Sequence, residues 1–136
     1  MPWLRTRIAW ALILLAILAV AATLYANHIF AQNDLRHRAE ALTEGNAARG
    51  QMLFVAKGCG GCHSIDHVRQ ANGLVGPPLT GVANRAIIAG VLENNPANLQ
   101  RWISTPQSVV PGNAMPDIPM TPGETRDIAA FLYTRI

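Results

Sequence analysis

The sequence predicts an all-α domain with long loops, carried behind a single N-terminal transmembrane helix. Three observations lead there. Residues 8–26 form a 19-residue run in which Thr23 alone falls outside the hydrophobic set. Beyond that run apolar residues recur at helical spacing, and no segment alternates as a strand would. The prolines and glycines collect between the helical stretches, as loop formers do. With 136 residues, one ordinary domain is expected. Only 14% of the residues are charged, against roughly 25% in an average soluble domain, which excludes a disordered, charge-rich chain.

In chain order, residues 1–7 are read as a cytoplasmic N-terminus and residues 8–26 as the anchor. As a helix the apolar run is about 28 Å long, close to the hydrocarbon thickness of a bilayer. Arg5 and Arg7 precede it, and the first acidic residue is Asp34. The positive-inside tendency therefore places everything after the run on the periplasmic side of the cell inner membrane. The rival is a cleaved signal peptide, for which Ala19-Val20-Ala21 offers a small-residue site. The run is longer than a usual h-region and continues past that site, which favours a retained anchor. Residues 27–45 turn polar and are read as a stalk, with Leu35, Ala39 and Leu42 along one side of a short amphipathic helix that Gly45 ends.

Residues 46–136 are the candidate folded unit. Asn46 is placed to cap a helix reaching about residue 56, followed by a turn punctuated by Gly58, Gly60 and Gly61. A loop over 64–85 and a short helical patch over 86–91 come next. Asn95-Pro96 reads as an N-cap with proline in the first helical position, opening a helix to about residue 104. A proline-marked loop follows, then a last helix over 123–135 with Ile128, Phe131 and Leu132 on one face. Three modest helices bury little apolar surface against so much loop entropy, and two cysteines allow at most one disulfide. Something else must supply the core. In this unit seven basic groups face five acidic ones, without a basic stripe and with Lys57 as the one lysine of the chain. Nucleic acid is not expected as a partner.

Cys59-Gly60-Gly61-Cys62-His63 carries the chemistry. Cys-x-x-Cys-His is the attachment motif of a c-type haem: two thiols three residues apart on a turn can bond the two vinyl groups of one haem, and the adjacent imidazole reaches the iron. A thioredoxin-like site would belong with a βαβ pattern, which is missing. A zinc site would need four ligands, usually as two separated pairs. One covalently bound haem c is the expected cofactor, with both cysteines consumed.

On these residues, 46–136 resembles a class I cytochrome c, with 1–45 as an added anchor and stalk. Gly50-Gln51-Met52-Leu53-Phe54 resembles the family's first helix and Asp127-Ile128-Ala129-Ala130-Phe131-Leu132 its last. The resemblance implies that Phe131 packs on the Gly50 face and that Ile128 helps line the haem pocket. Gly76-Pro77-Pro78-Leu79 is similar to the family's Gly-Pro-x-Leu segment, which implies that the Pro77 carbonyl accepts a hydrogen bond from His63. Pro111-Gly112-Asn113-Ala114-Met115-Pro116 resembles the methionine loop, implying Met115 as the second axial ligand beside His63. Met120 is its rival, and His28, His37 and His67 are read as surface residues. Arg85 stands where the family has an arginine on a haem propionate. Trp102 is either a donor near a propionate or packed core, and Leu74, Val75, Leu79 and Ile87 are candidate pocket walls.

Two filled axial positions leave the iron one-electron cycling rather than catalysis, so the chain is expected to be no enzyme. Paired carboxylates, a phosphate loop and nucleophile–base spacing are likewise missing, and no small-molecule substrate is expected. Electrons are expected to leave by the haem edge near Gly60, Gly61 and Ala114. The stretch 94–120 is similar to the cytochrome c domain fused to subunit II of some haem–copper oxidases. The leading reading is a tethered carrier between a quinol-oxidising complex and a terminal oxidase. An electron-accepting subunit of a periplasmic dehydrogenase stands beside it, and a haem enzyme or gas sensor is the third reading.

Overall fold

The computed structural model describes residues 2–136, which form two compact units, one ending at Asp34 and one running from Leu35 to Ile136. Helix α1 (Pro2–Thr43) supplies the first. Its large apolar side chains are exposed, Trp10 at 70% and Phe30 at 72% among them. An α-helix that is apolar all round belongs in lipid or in a core, and here no protein covers it. Among the described residues it is the one helix long and apolar enough to cross a membrane. Thr23 interrupts the apolar run without leaving an orphan donor, because its hydroxyl donates to the Ala19 carbonyl at 2.8 Å.

The second unit includes the last turns of α1, so residues 35–45 do not form the free stalk that the sequence leads one to expect. Ala39 and Thr43 are buried, whereas Leu42 is 61% exposed. The inward face is thus Leu35, Ala39 and Thr43. The neighbouring Gly45 backbone lies against the Arg126 carbonyl, so closely that a Cβ there would collide with it, and such an approach admits small side chains. Thr43 tolerates burial because its hydroxyl donates to the Ala39 carbonyl at 2.7 Å. Glu40 accepts the Ala47 N–H at 2.9 Å, and Gln100 donates to the Thr43 carbonyl at 3.3 Å.

Helix α2 (Ala47–Ala56) starts at Asn46, whose side chain accepts the Arg49 N–H, as its capping position predicts. After the 3₁₀ turn Cys59–Gly61 the chain wraps as loop through a second 3₁₀ turn, Val82–Asn84. The helical patch expected over 86–91 is instead a minimal hairpin. Strands β1 (Ile87–Ile88) and β2 (Leu92–Glu93) pair antiparallel, Ile87 with Glu93 and Ile88 with Leu92. Ala89 and Gly90, at φ 54° and 72°, turn the chain with two left-handed residues, the geometry that matches strand twist. Helix α3 (Pro96–Ser104) begins at the Asn95 cap with Pro96 in its first turn. The four-residue α4 (Pro106–Val109) interrupts the proline-rich loop. Helix α5 (Pro122–Tyr133) opens on a full capping box between Thr121 and Glu124.

α2 crosses α5 at residue 50, where a side-chain carbon would overlap the Asp127 carbonyl. Glycine removes that obstacle, and the crossing brings Phe54 and Phe131 together with ring centroids 5.6 Å apart. Both rings are 1% exposed, and Ile65, Val82, Leu99, Ile103, Ile128 and Leu132 complete the core around them.

A polar lock closes the crossing. Asp127 is 3% exposed, accepts the Asn46 N–H at 2.7 Å, and takes the Arg49 guanidinium on both oxygens. Burial alone would push its carboxyl pKa up; the Arg49 and Asn46 hydrogen bonds and the nearby arginine charges outweigh that and hold it below the usual value. The stability Asp127 lends is therefore present above the unfolded pKa, about 3.9, and is lost as pH falls through the lower folded value. Asp127→Ala should cost about 1–2 kcal/mol at pH 7, as urea unfolding will measure, and the gap from wild type should shrink at pH 3.

Candidate functional site

The second unit has a cavity of about 650 Å³ running into its core, walled by Phe54, Val82, Leu99, Ile103, Ile128 and Leu132 from the inside. That volume is within the usual range for organic ligands and cofactors, about 300–1,000 Å³. All seven residues singled out in the sequence border it: Cys59, Cys62, His63, Pro77, Arg85, Trp102 and Met115. They come from five separate stretches of chain. Val75, Leu79, Ile87 and Ala114 also line it. Leu74 does not; it points to solvent at 91% exposure. Gly60, Gly61, His67 and Met120 are also outside the lining, and Met120 packs against the hydrophobic core instead. His28 and His37 are exposed on α1.

Local folding explains the placement. The turn Cys59–Gly61 is entered through Gly58 at φ 77°, and the His63 N–H donates to the Cys59 carbonyl at 3.0 Å. Both thiols and the imidazole are thereby brought to one mouth of the cavity. The two cysteines are not joined in a disulfide. Burial pushes the Cys59 thiol pKa up, so it stays protonated at neutral pH.

The returning loop fixes the imidazole. Gly76 donates its N–H to the Cys62 carbonyl at 2.8 Å, and Pro77 then offers its carbonyl to His63 Nδ1 at 2.8 Å. A carbonyl can only accept, so Nδ1 carries the proton and Nε2 of the neutral ring keeps its lone pair for another partner. A Cβ on residue 76 would sit 2.6 Å from Nδ1 and 2.9 Å from Nε2, so glycine is what lets the ring lie there.

Electrostatically the cavity is basic. Its lining holds Lys57 and Arg85 and no carboxylate. The Lys57 ammonium is engaged by Glu124 at 2.9 Å and by the Pro119 carbonyl at 3.1 Å. The Arg85 guanidinium donates to the Pro78 carbonyl, which leaves its charge uncancelled. Asn94 steadies this region. Its amide donates to the Val82 and Arg85 carbonyls at 2.9 and 2.8 Å, and its oxygen accepts the Tyr133 hydroxyl at 3.0 Å.

Sequence reasoning missed Asn94, Gln107 and Asn113. Gln107 and Asn113 bind the backbone of the Met115 loop. A lone amide carries no motif, and the short α4 that aims Gln107 gives no periodic signal, so nothing in the sequence marks them.

A helical domain of this order, with two cysteines, a lone-pair imidazole and a methionine on one mostly apolar cavity, fits a large planar aromatic cofactor with an acidic edge and a bound metal. Residues 47–135 match the cytochrome c family, and the chain belongs to it; haem is the group that this family implies. The chain is 40% identical over 91 residues to cytochrome c oxidase subunit 2 of Alkalihalophilus pseudofirmus, an alignment covering 66% of this chain and 26% of that one. It is also 40% identical over 76 residues to the same subunit of Bacillus sp. strain PS3, covering 54% and 21%. The Bacillus subtilis subunit is 35% identical over 71 residues, covering 51% and 20%. The chain thus spans about a quarter or less of the length of these relatives.

Gly76→Ala should displace the His63 ring from the Pro77 carbonyl and cost about 1–3 kcal/mol through overpacking. A lowered Tm together with altered imidazole resonances in NMR will check it.

Proposed function

We propose that this protein is a membrane-tethered electron carrier holding one covalent haem c, and that it passes electrons to a terminal oxidase. The observation that carries the reading is the convergence of Cys59, Cys62, His63 and Met115 on one cavity, with the His63 tautomer set by Pro77. When bound, the haem supplies one-electron exchange between ferric and ferrous iron.

The residues have distinct tasks. Cys59 and Cys62 would hold the haem through thioether bonds. His63 would offer Nε2 to the metal, and the Pro77 carbonyl orients the ring. Met115 would offer its thioether, a soft donor that favours the ferrous state. Arg85 would meet a propionate, since among the described residues its guanidinium has no carboxylate partner, and Trp102 forms part of the cavity wall. The apolar lining would exclude water, which would disfavour the more highly charged ferric state and raise the potential further. With His63 and Met115 both given to the metal, the site would offer no place for a substrate, so the protein would carry electrons rather than catalyse a reaction of its own.

The apolar run of α1 supports anchoring in the cell inner membrane, and Arg5 and Arg7 ahead of it support a cytoplasmic N-terminus with the haem domain in the periplasm. The domain boundary best supported lies near residue 35, where the second compact unit starts. Attachment to the membrane raises effective concentration near membrane partners, so the chain can do without a ring of steering lysines. The oxidase as electron acceptor is supported by the 40% identity to an oxidase subunit. A quinol-oxidising complex is the donor that fits a carrier feeding an oxidase.

Met115→Ala should lower the reduction potential and let the oxidised protein bind imidazole. Met120→Ala should leave both unchanged and cost about 2 kcal/mol in stability through its core contact. Potentiometry and imidazole titration will check the pair, and the reverse pattern would exchange the two methionines. Chemical crosslinking in extracted membranes should join the haem domain to a terminal oxidase. Crosslinks confined to a dehydrogenase would move the protein to that complex, and carbon monoxide binding to the reduced protein at neutral pH would overturn the carrier reading.

A further inference from the structure

We propose that Gln107 and Asn113 form a polar clamp whose task is to position Met115, an inference that rests on the reading of Met115 as a metal ligand. The methionine loop has no helix or strand to satisfy its backbone. Gln107, the second residue of α4, reaches into it. Its Nε2 donates to the carbonyls of Asn113 at 2.8 Å and Met115 at 2.7 Å, and its Oε1 accepts the Gly112 N–H at 3.0 Å. Asn113 answers from within the loop. Its Nδ2 donates to the Pro106 and Val110 carbonyls at 3.0 and 2.6 Å, and its Oδ1 accepts the Met115 N–H at 2.7 Å. The Gln107 N–H is in turn held by Asp117 at 3.1 Å.

Both backbone groups of Met115 are therefore met by these two side chains. Methionine is long and unbranched, with three rotatable bonds. A sulfur on such a stem keeps one place at the cavity only if the backbone beneath it is fixed. The Pro111-Gly112 turn, with Gly112 at φ 80° and the Asn113 N–H on the Val110 carbonyl at 3.3 Å, is favoured locally, but it ends before Met115, whose own backbone is held by the clamp. Loss of the two Gln107 donations, each worth roughly 1 kcal/mol net, raises the population of the open loop about tenfold or more. Any ligand that competes with Met115 then gains affinity in proportion.

The test uses the haem-loaded full chain with Gln107→Leu, Gln107→Glu and Asn113→Asp. The glutamate keeps the acceptor for Gly112 and removes both donations; the aspartate keeps the acceptor for Met115 and removes its own two. Each variant should bind imidazole about tenfold more tightly in the oxidised state and weaken the far-red sulfur-to-iron absorption. Amide exchange at Met115 should speed up by a similar factor. In a Met115→Ala background, Gln107→Leu should leave imidazole affinity unchanged, because there is no sulfur left to position. A Gln107→Leu protein with a lower Tm but parental imidazole affinity and exchange overturns the clamp. If Met115→Ala itself binds imidazole no better than the parent, the ligand reading falls instead, and parental exchange in the Gln107 variants would then overturn the clamp as well.

Discussion

α2 can lie against α5 only because residue 50 has no side chain, and much of the domain follows from that contact. The close crossing allows Phe54 to meet Phe131. It also puts Asp127 within reach of Arg49 and the Asn46 N–H, so the two helices are joined by packing and by charge at the same place. The Lys57–Glu124 pair then ties the end of α2 to the start of α5. Since the Cys59–Gly61 turn follows α2 directly, the position of the crossing decides where both thiols and His63 stand.

The hydrophobic core and the cavity share their walls. Ile128 and Leu132 belong to the hydrophobic cluster and to the cavity wall at once, and Leu99 and Ile103 do the same from α3. A small chain with little regular structure buries too little of itself to offset chain entropy. On the proposed reading, a large apolar group held in that cavity would add the missing contact area, so cofactor binding and folding would be one problem. The loops can then be long, because each is pinned at its function-bearing point: the 64–85 loop at the Gly76 and Pro77 contacts, the proline-rich loop at Gln107 and Asn113.

Charge and anchoring complement each other. The single lysine is spent on a pair with Glu124, and the cavity keeps Arg85 as its uncancelled cation. Long-range steering by a basic face is therefore weak. On the proposed reading, the apolar N-terminal helix would substitute a different means of meeting a partner, by confining the domain to the membrane.

Local signals were enough for the capped helices, the cofactor motif and the apolar run. Asn46 and Asn95 act on backbone within three residues, and Cys59, Cys62 and His63 share one turn, so short-range chemistry sets them and the sequence displays them. The helix expected over 86–91 failed because two adjacent left-handed residues, Ala89 and Gly90, make a hairpin that apolar spacing does not register. Spacing puts Leu42 on one stripe with Leu35 and Ala39 but does not show what packs against it; the approach at Gly45 admits Thr43 instead. Resemblance to the methionine loop points to Met115, with Met120 as its rival; that Met115 lines the cavity while Met120 packs on the core is decided only by the packed chain. The same holds for Gln107 and Asn113. Motifs and caps are thus written in neighbouring residues, whereas cavity walls and loop clamps arise between segments distant in sequence, where only folding brings donor to acceptor.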